Sequence, residues 1–134
     1  MKNLNILLFL LISVFTLSCK ESEVSEVEDS TFIGKWRLTE SYFDNGGGNG
    51  DWNPVSEKNA KKLLEFKTDG RLGGTALEGY VRYTIKDSVT FTVYKQNDEF
   101  QNYLFEIKDG KLTIGPAGPI WCVEGCGSRY VKVN

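Results

Sequence analysis

The residues with the sharpest chemistry in this chain are Cys19, Cys122 and Cys126, set among 18 acidic side chains and no histidine. A thiolate is a nucleophile or a soft metal ligand, but a closed zinc site needs a fuller ligand set than Cys122 and Cys126 offer without imidazole. Acid–base catalysis has no histidine to use, no Gly-Lys motif cradles a phosphate, and no serine stands in a nucleophile elbow. Glu40 is the one carboxylate that period-two patterning turns inward, and a catalytic carboxylate pair needs a second. The run Asp44-Asn45-Gly46-Gly47-Gly48-Asn49-Gly50-Asp51 offers oxygens at short spacing. It lacks the one-three-five acidic spacing and the closing Glu of an EF-hand loop, so a flexible loop is the plainer reading. The expectation is a chain with no catalytic centre, no cofactor and no bound metal.

The N-terminus carries a different kind of signal. Lys2 precedes an apolar run over residues 4–17 and then the small Ser18, the charged, apolar and cleavage regions of a secretory signal. The run is short for a membrane span, which needs about 20 apolar residues. Thr16-Leu17-Ser18-Cys19 resembles the lipobox of bacterial lipoproteins, with Leu17 one position closer to the Cys than the family's usual Leu. That resemblance implies a signal peptide over 1–18, diacylglyceryl modification of Cys19, cleavage before it and acylation of the new amine. Two or more acyl chains make a stable anchor, so the expected partner is a membrane, reached through lipid on Cys19. Export to an oxidising compartment then reads Cys122 and Cys126 as a disulfide.

Behind Cys19, residues 20–30 hold Glu21, Glu23, Glu26, Glu28 and Asp29 and no aromatic residue. Such a segment buries too little apolar surface to order itself and reads as a tether, with a coil span of about 17 to 20 Å and a stretched limit of about 40 Å. Its acidic residues resemble the surface-export signals of some Gram-negative lipoproteins. The expected location is the cell envelope, at the outer membrane, with its outer face as one placement. With 16 basic against 18 acidic residues and no Lys/Arg cluster, nucleic acid is not an expected partner.

Residues 31–134 read as one domain whose pattern is period-two alternation in short runs. Val81, Tyr83 and Ile85, the turn Lys86-Asp87-Ser88, then Val89, Phe91 and Val93 form a hairpin with one apolar face. Asp69-Gly70 and Asp109-Gly110 mark two more hairpins, because Gly accepts positive φ and Asp tolerates it. An opening strand over about 32–43 and a last one over about 129–133 bring the count to about eight, with a helical turn or two at most over 56–62. An eight-strand hairpin series removes its exposed edges by closing, so the expected fold is all-β, a small antiparallel meander barrel. Alternation places Trp36, Leu38, Glu40 and Tyr42 inward on the first strand and Arg129, Val131 and Val133 inward on the last. The remaining inward positions are Leu64, Phe66, Leu72, Gly74, Ala76, Tyr103, Phe105, Ile107, Leu112 and Ile114.

Gly34-Lys35-Trp36 resembles the Gly-x-Trp signature of lipocalins. The wider domain resembles the short lipocalin-like domains of bacterial lipoproteins in Trp52-Asn53-Pro54-Val55, Phe66-x-x-Asp69-Gly70 and Cys122-x-Glu124-Gly125-Cys126-x-x-Arg129-Tyr130. The second, Thr-Asp-Tyr motif of animal lipocalins is not evident here. The resemblance implies a barrel floor built by Gly34 and Trp36, with Arg129 packed across the indole by a cation–π contact worth about 0.5 to 2 kcal/mol. It also implies a site for a small apolar ligand. The lining candidates are Glu40, Tyr42, Ala76, Tyr83, Phe91 and Phe105, with room at the end away from Trp36.

Two functions follow as expectations. One is a monomeric, non-catalytic binding module for a small hydrophobic or amphipathic molecule. The other is a solid-barrel interaction protein of the envelope that contacts a protein or polymer through its loops, with Trp52 beside the glycines as anchor.

Overall fold

The computed structural model describes residues 32–134, so the secretory segment 1–18, Cys19 and the tether 20–30 lie outside the described residues. Nine strands follow in chain order: β1 Gly34–Phe43, β2 Asp51–Pro54, β3 Leu63–Phe66, β4 Leu72–Gly74, β5 Tyr80–Ile85, β6 Thr90–Lys95, β7 Phe100–Lys108, β8 Lys111–Pro116 and β9 Cys126–Val133. A 3-10 turn at Asn59–Lys61 falls within the 56–62 stretch. The strands pair in the order β4-β3-β1-β9-β8-β7-β6-β5, every pairing antiparallel. The ends of that order meet, since Arg71 bridges Arg82 and the Tyr83 N–H donates to the Gly70 carbonyl at 2.9 Å. This is the nearly closed eight-stranded barrel that the edge argument requires.

β2 stands off the circuit and explains where closure is incomplete. It pairs with residues 40–43 of β1, while β3 pairs with residues 34–37 of the same edge. The Val55 N–H makes the last bond to β1, donating to the Thr39 carbonyl at 3.0 Å, and the chain then leaves the sheet and re-enters at Leu63. The wall beyond β2 is completed by residues 75–79, whose Thr75 and Ala76 N–H groups both donate to the Leu63 carbonyl at 2.8 and 2.9 Å. Gly74 permits that crossing with φ 92°, and a Cβ there would lie 2.1 Å from the Leu63 oxygen. Gly74 therefore serves close backbone approach rather than leaving room inside the barrel.

The two ends of the barrel are built differently. At the end where β1 begins, the connections are tight: Asp109 and Gly110 both take positive φ, 51° and 71°, and Gly70 takes 80°. Asp87 caps its turn by accepting the Val89 N–H at 2.9 Å. Long loops sit at the other end, over 44–50 and 117–125. Asp44 turns its carboxylate onto its own loop, accepting the N–H groups of Gly46, Gly47 and Gly48 at 2.9 to 3.2 Å. The Asp44 N–H donates to Gly125 at 3.3 Å, so the two loops brace each other. Cys122 and Cys126 are joined, with Cα atoms 5.8 Å apart.

The core fills the tight end. Phe32 is fully buried at its centre, with ring centroids of Phe66, Phe105, Phe91 and Tyr83 at 4.0, 4.9, 5.4 and 5.9 Å. Its carbonyl accepts the Trp36 indole N–H at 2.9 Å, which satisfies the one polar group the buried indole carries. Phe32 was expected to open the first strand; instead it plugs the floor, and Gly34 at φ 125° turns the chain from plug into β1.

Two extra residues reset which side chains face inward. Between Leu38 and Glu40 the register against β9 shifts, leaving Thr39 as a bulge whose Oγ1 donates to the Arg129 carbonyl at 3.1 Å. A bulge inverts the alternation after it. Glu40 and Tyr42 therefore face outward, correcting their expected inward placement. A second shift between Tyr80 and Arg82 leaves Val81 exposed and turns Tyr80 inward. On β9, Tyr130 pairs with Leu38 and is buried, so Arg129, Val131 and Val133 lie on the outer face, a further correction.

A phenol-lined cavity at the open end

Above the floor core the barrel holds a cavity of about 300 Å³, lined by Ala76, Tyr80, Gln101, Tyr103, Ser128 and Tyr130 together with apolar wall residues that include Leu77, Ile114 and Pro116. Each reaches it for a stated reason. Tyr80 is inward because of the bulge at Val81, and Ala76 lies on the segment that patches the low wall. Gln101 and Tyr103 share the inward face of β7 with Phe105. Ser128 and Tyr130 share the inward face of β9.

Gln101 is 2% exposed, and its amide makes three hydrogen bonds to backbone. Its Nε2 donates to the carbonyls of Ile120 and Asn102 at 2.8 and 3.0 Å, while its Oε1 accepts the Ile120 N–H at 3.0 Å. That reciprocal pair holds residues 117–121 against the rim. Tyr130 hydrogen-bonds Ser128, yet burial dominates and pushes its phenol up to about 12. Burial also pushes Tyr103 up to about 12, with Tyr80 close enough to add to the effect. The Tyr103 ring stacks on Phe91 at 5.4 Å and 17°, so the cavity rests directly on the floor core.

The expected lining residues divide three ways. Ala76 lines the cavity. Tyr83, Phe91 and Phe105 lie below it in the floor core, correcting their expected role as lining. Glu40 and Tyr42 are outside the barrel altogether. There the Arg129 guanidinium donates to Glu40 at 3.1 Å and Lys111 approaches the same oxygen at 3.5 Å. The Arg129 hydrogen bond, with help from Lys111, holds the Glu40 carboxyl below its ordinary range against mild desolvation. Arg129 also lies 3.8 Å from the ring centroid of Trp52, which packs on Tyr42 at 5.5 Å. Gly127 lets that indole pack closely, since a Cβ there would lie 3.0 Å from it.

The floor assignment is therefore corrected at one residue. Gly34 and Trp36 stand where expected, but the cation across the Trp36 indole is Lys132, 5.3 Å from the ring centroid and its register partner. Trp52, expected as an exposed anchor, is half-buried under Arg129. Sequence reasoning missed Gln101, Tyr80 and Tyr130. Gln101 was findable as the polar member of the inward series Gln101, Tyr103, Phe105, Ile107. Tyr80 and Tyr130 were not, because their placement depends on a bulge and on cross-strand register.

Two other concavities are surface grooves. One, about 240 Å³, runs on the outer face past Tyr42, Trp52, Leu104 and Thr113. The other, about 310 Å³, lies at the rim between Phe100 and Ile120, where Lys95 and Glu99 pair with each other at 2.7 Å. Among the described residues no group of three or more His, Cys, Asp or Glu is placed to hold a metal, and no helix is long and apolar enough to cross a membrane. Comparison with known proteins finds no matching family and no matching curated protein.

Proposed function

We propose that this protein is a non-catalytic, monomeric lipocalin-like lipoprotein, held at the outer membrane by lipid on Cys19, whose barrel takes one small hydrophobic or amphipathic molecule at its open end. The cavity over a solid aromatic floor carries the reading. An eight-stranded barrel is just wide enough to fill with its own side chains or to hold one small ligand, and here the lower part does the first and leaves the upper part empty of bulk. About 300 Å³ lies at the small end of ligand sites. The anchor rests on the lipobox-like sequence; Cys19→Ser should abolish palmitate labelling and release the protein from membranes.

The test of binding is native mass spectrometry of the purified chain beside Ala76→Phe. A small molecule should accompany the parent and be lost from the variant, whose stability should change by less than about 1.5 kcal/mol because the ring enters open space. Absence of any bound molecule, together with a destabilisation of about 1 to 3 kcal/mol from overpacking, would favour the second reading. That reading, an envelope interaction protein, now draws its support from Ile120, Trp121 and Val123, which are 68%, 64% and 97% exposed on and beside the disulfide loop. Trp52 no longer supports it.

A further inference from the structure

We infer that the ligand of this cavity is an uncharged ring compound bearing a hydrogen-bond acceptor; this rests on the binding reading above and narrows it. The first observation is the absence of charge. None of the cavity's lining residues is acidic or basic, because the Thr39 bulge sends Glu40 outward to Arg129 and Lys111. The nearest cation, Lys95, reaches the Tyr80 ring at 5.9 Å from the rim but is paired with Glu99 at 2.7 Å, so a carboxylate or ammonium entering this space meets no free counter-charge, and an unpaired charge taken from water costs several kcal/mol. A fatty-acid headgroup has nothing to bind, and a long chain has nowhere to go, since Phe32 and Trp36 block the barrel below.

The second observation is which polar groups remain available. Both N–H donors of the Gln101 amide are taken by Ile120 and Asn102, so it offers a guest no donor. Tyr130 is 2% exposed, with Ser128 beside it on the inward face of β9. Tyr103 lines the cavity, and its hydroxyl makes no hydrogen bond to any described residue. With its phenol pushed up to about 12, it is an O–H donor throughout the physiological range, which calls for an acceptor on the guest. The third observation is shape. The rings of Tyr80, Tyr103 and Tyr130 share the wall with Leu77 and Pro116, and flat aromatic walls are best matched by a ring in offset or edge contact at about 4.5 to 7 Å.

The test is calorimetric titration of the purified chain with three probes of similar ring size: coumarin, which is neutral with a carbonyl acceptor; coumarin-3-carboxylate, its anion; and naphthalene, which has no acceptor. Coumarin should bind at least about tenfold tighter than the carboxylate, the penalty expected for an unpaired charge. Tyr103→Phe, which keeps the ring on Phe91, should weaken coumarin by about three- to tenfold, the worth of one hydrogen bond, and leave naphthalene within about twofold. Equal or tighter binding of the carboxylate overturns the inference while leaving a binding module in place. So does an unchanged coumarin-to-naphthalene ratio in Tyr103→Phe. Failure of all three probes to bind the parent chain overturns both the inference and the reading beneath it.

Discussion

The floor and the mouth of this barrel are made from the same kinds of residue and come out opposite in character. At the floor, Phe32, Phe66, Phe91 and Phe105 pack ring on ring, and the one polar atom of Trp36 is satisfied by the carbonyl of Phe32. At the mouth, aromatic residues again line the wall, but they are tyrosines, and no plug descends between them. The lesson is that aromatic content does not decide whether a small barrel is solid. What decides it is whether a chain segment enters from outside the sheet to occupy the axis, as Phe32 does at one end and nothing among the described residues does at the other.

Removing the plug should have the largest effect. Phe32→Ala should cost about 3 to 5 kcal/mol, the range for a large aromatic lost from a well-packed core, read as a lowered denaturation midpoint of the purified chain. Tyr80→Ala, which removes a ring of similar size at the mouth, should cost less than half as much. Comparable losses at the two positions would mean that the mouth is packed like the floor and that the cavity is not a feature of the folded protein in solution.

Much of that floor was legible from spacing alone, and the reason is physical. Leu64, Phe66, Phe91, Phe105 and Leu112 lie on stretches of uninterrupted alternation that run to turns with strong local chemistry, and Trp36 and Leu38 precede the Thr39 bulge, so period two runs true for all of them. The site was less legible because it depends on where alternation fails. One residue at Thr39 inverts Glu40 and Tyr42, and one at Val81 exchanges itself for Tyr80. A bulge leaves no compositional mark in a strand as polar as Thr39-Glu40-Ser41. On β9 the misreading came from hydrophobicity itself. Val131 and Val133 outnumber Tyr130, yet pairing with Leu38 and Leu112 puts Tyr130 inside. That choice is made by neighbours distant in sequence.

A titration sharpens the same contrast at the level of single groups. Burial raises the Tyr130 phenol in the folded chain to about 12, from an ordinary value of 10.0 that the unfolded chain keeps. The neutral form is the one the fold favours. Its contribution is therefore complete below pH 10 and is lost as the pH climbs from 10 toward 12. Two units correspond to about 2 to 3 kcal/mol of stability. Tyr103 should show the same direction with a smaller amplitude, since it is only half-buried and the cavity gives its charged form some solvent. In Tyr130→Phe the loss over this window should shrink to what Tyr103 leaves. An unchanged alkaline transition in that variant would place the sensitivity elsewhere and show that Tyr130 is not held neutral inside.

The smallest effect bears on the outer wall and on how far the lipocalin resemblance extends. In that resemblance the late arginine belongs to the floor tryptophan, whereas here Arg129 lies over Trp52 at 3.8 Å and Lys132 takes the place beside Trp36. The difference follows from register. β9 opposes Trp36 with Lys132 and, past the bulge, opposes Glu40 with Arg129, so Arg129 reaches the outer face already partnered to a carboxylate. Its side chain is about one quarter exposed, which leaves water to screen the pair and places the cation–π term toward the lower end of its range. A double-mutant cycle with Arg129→Gln and Trp52→Leu should therefore return a coupling of about 0.5 to 1 kcal/mol. The same cycle pairing Arg129→Gln with Trp36→Leu should return zero within about 0.3 kcal/mol, because the two side chains lie on opposite faces of the wall and share no contact. A coupling to Trp36 that exceeds the coupling to Trp52 would restore the floor pairing, and with it an inward Arg129 that would give the cavity the charge its lining lacks.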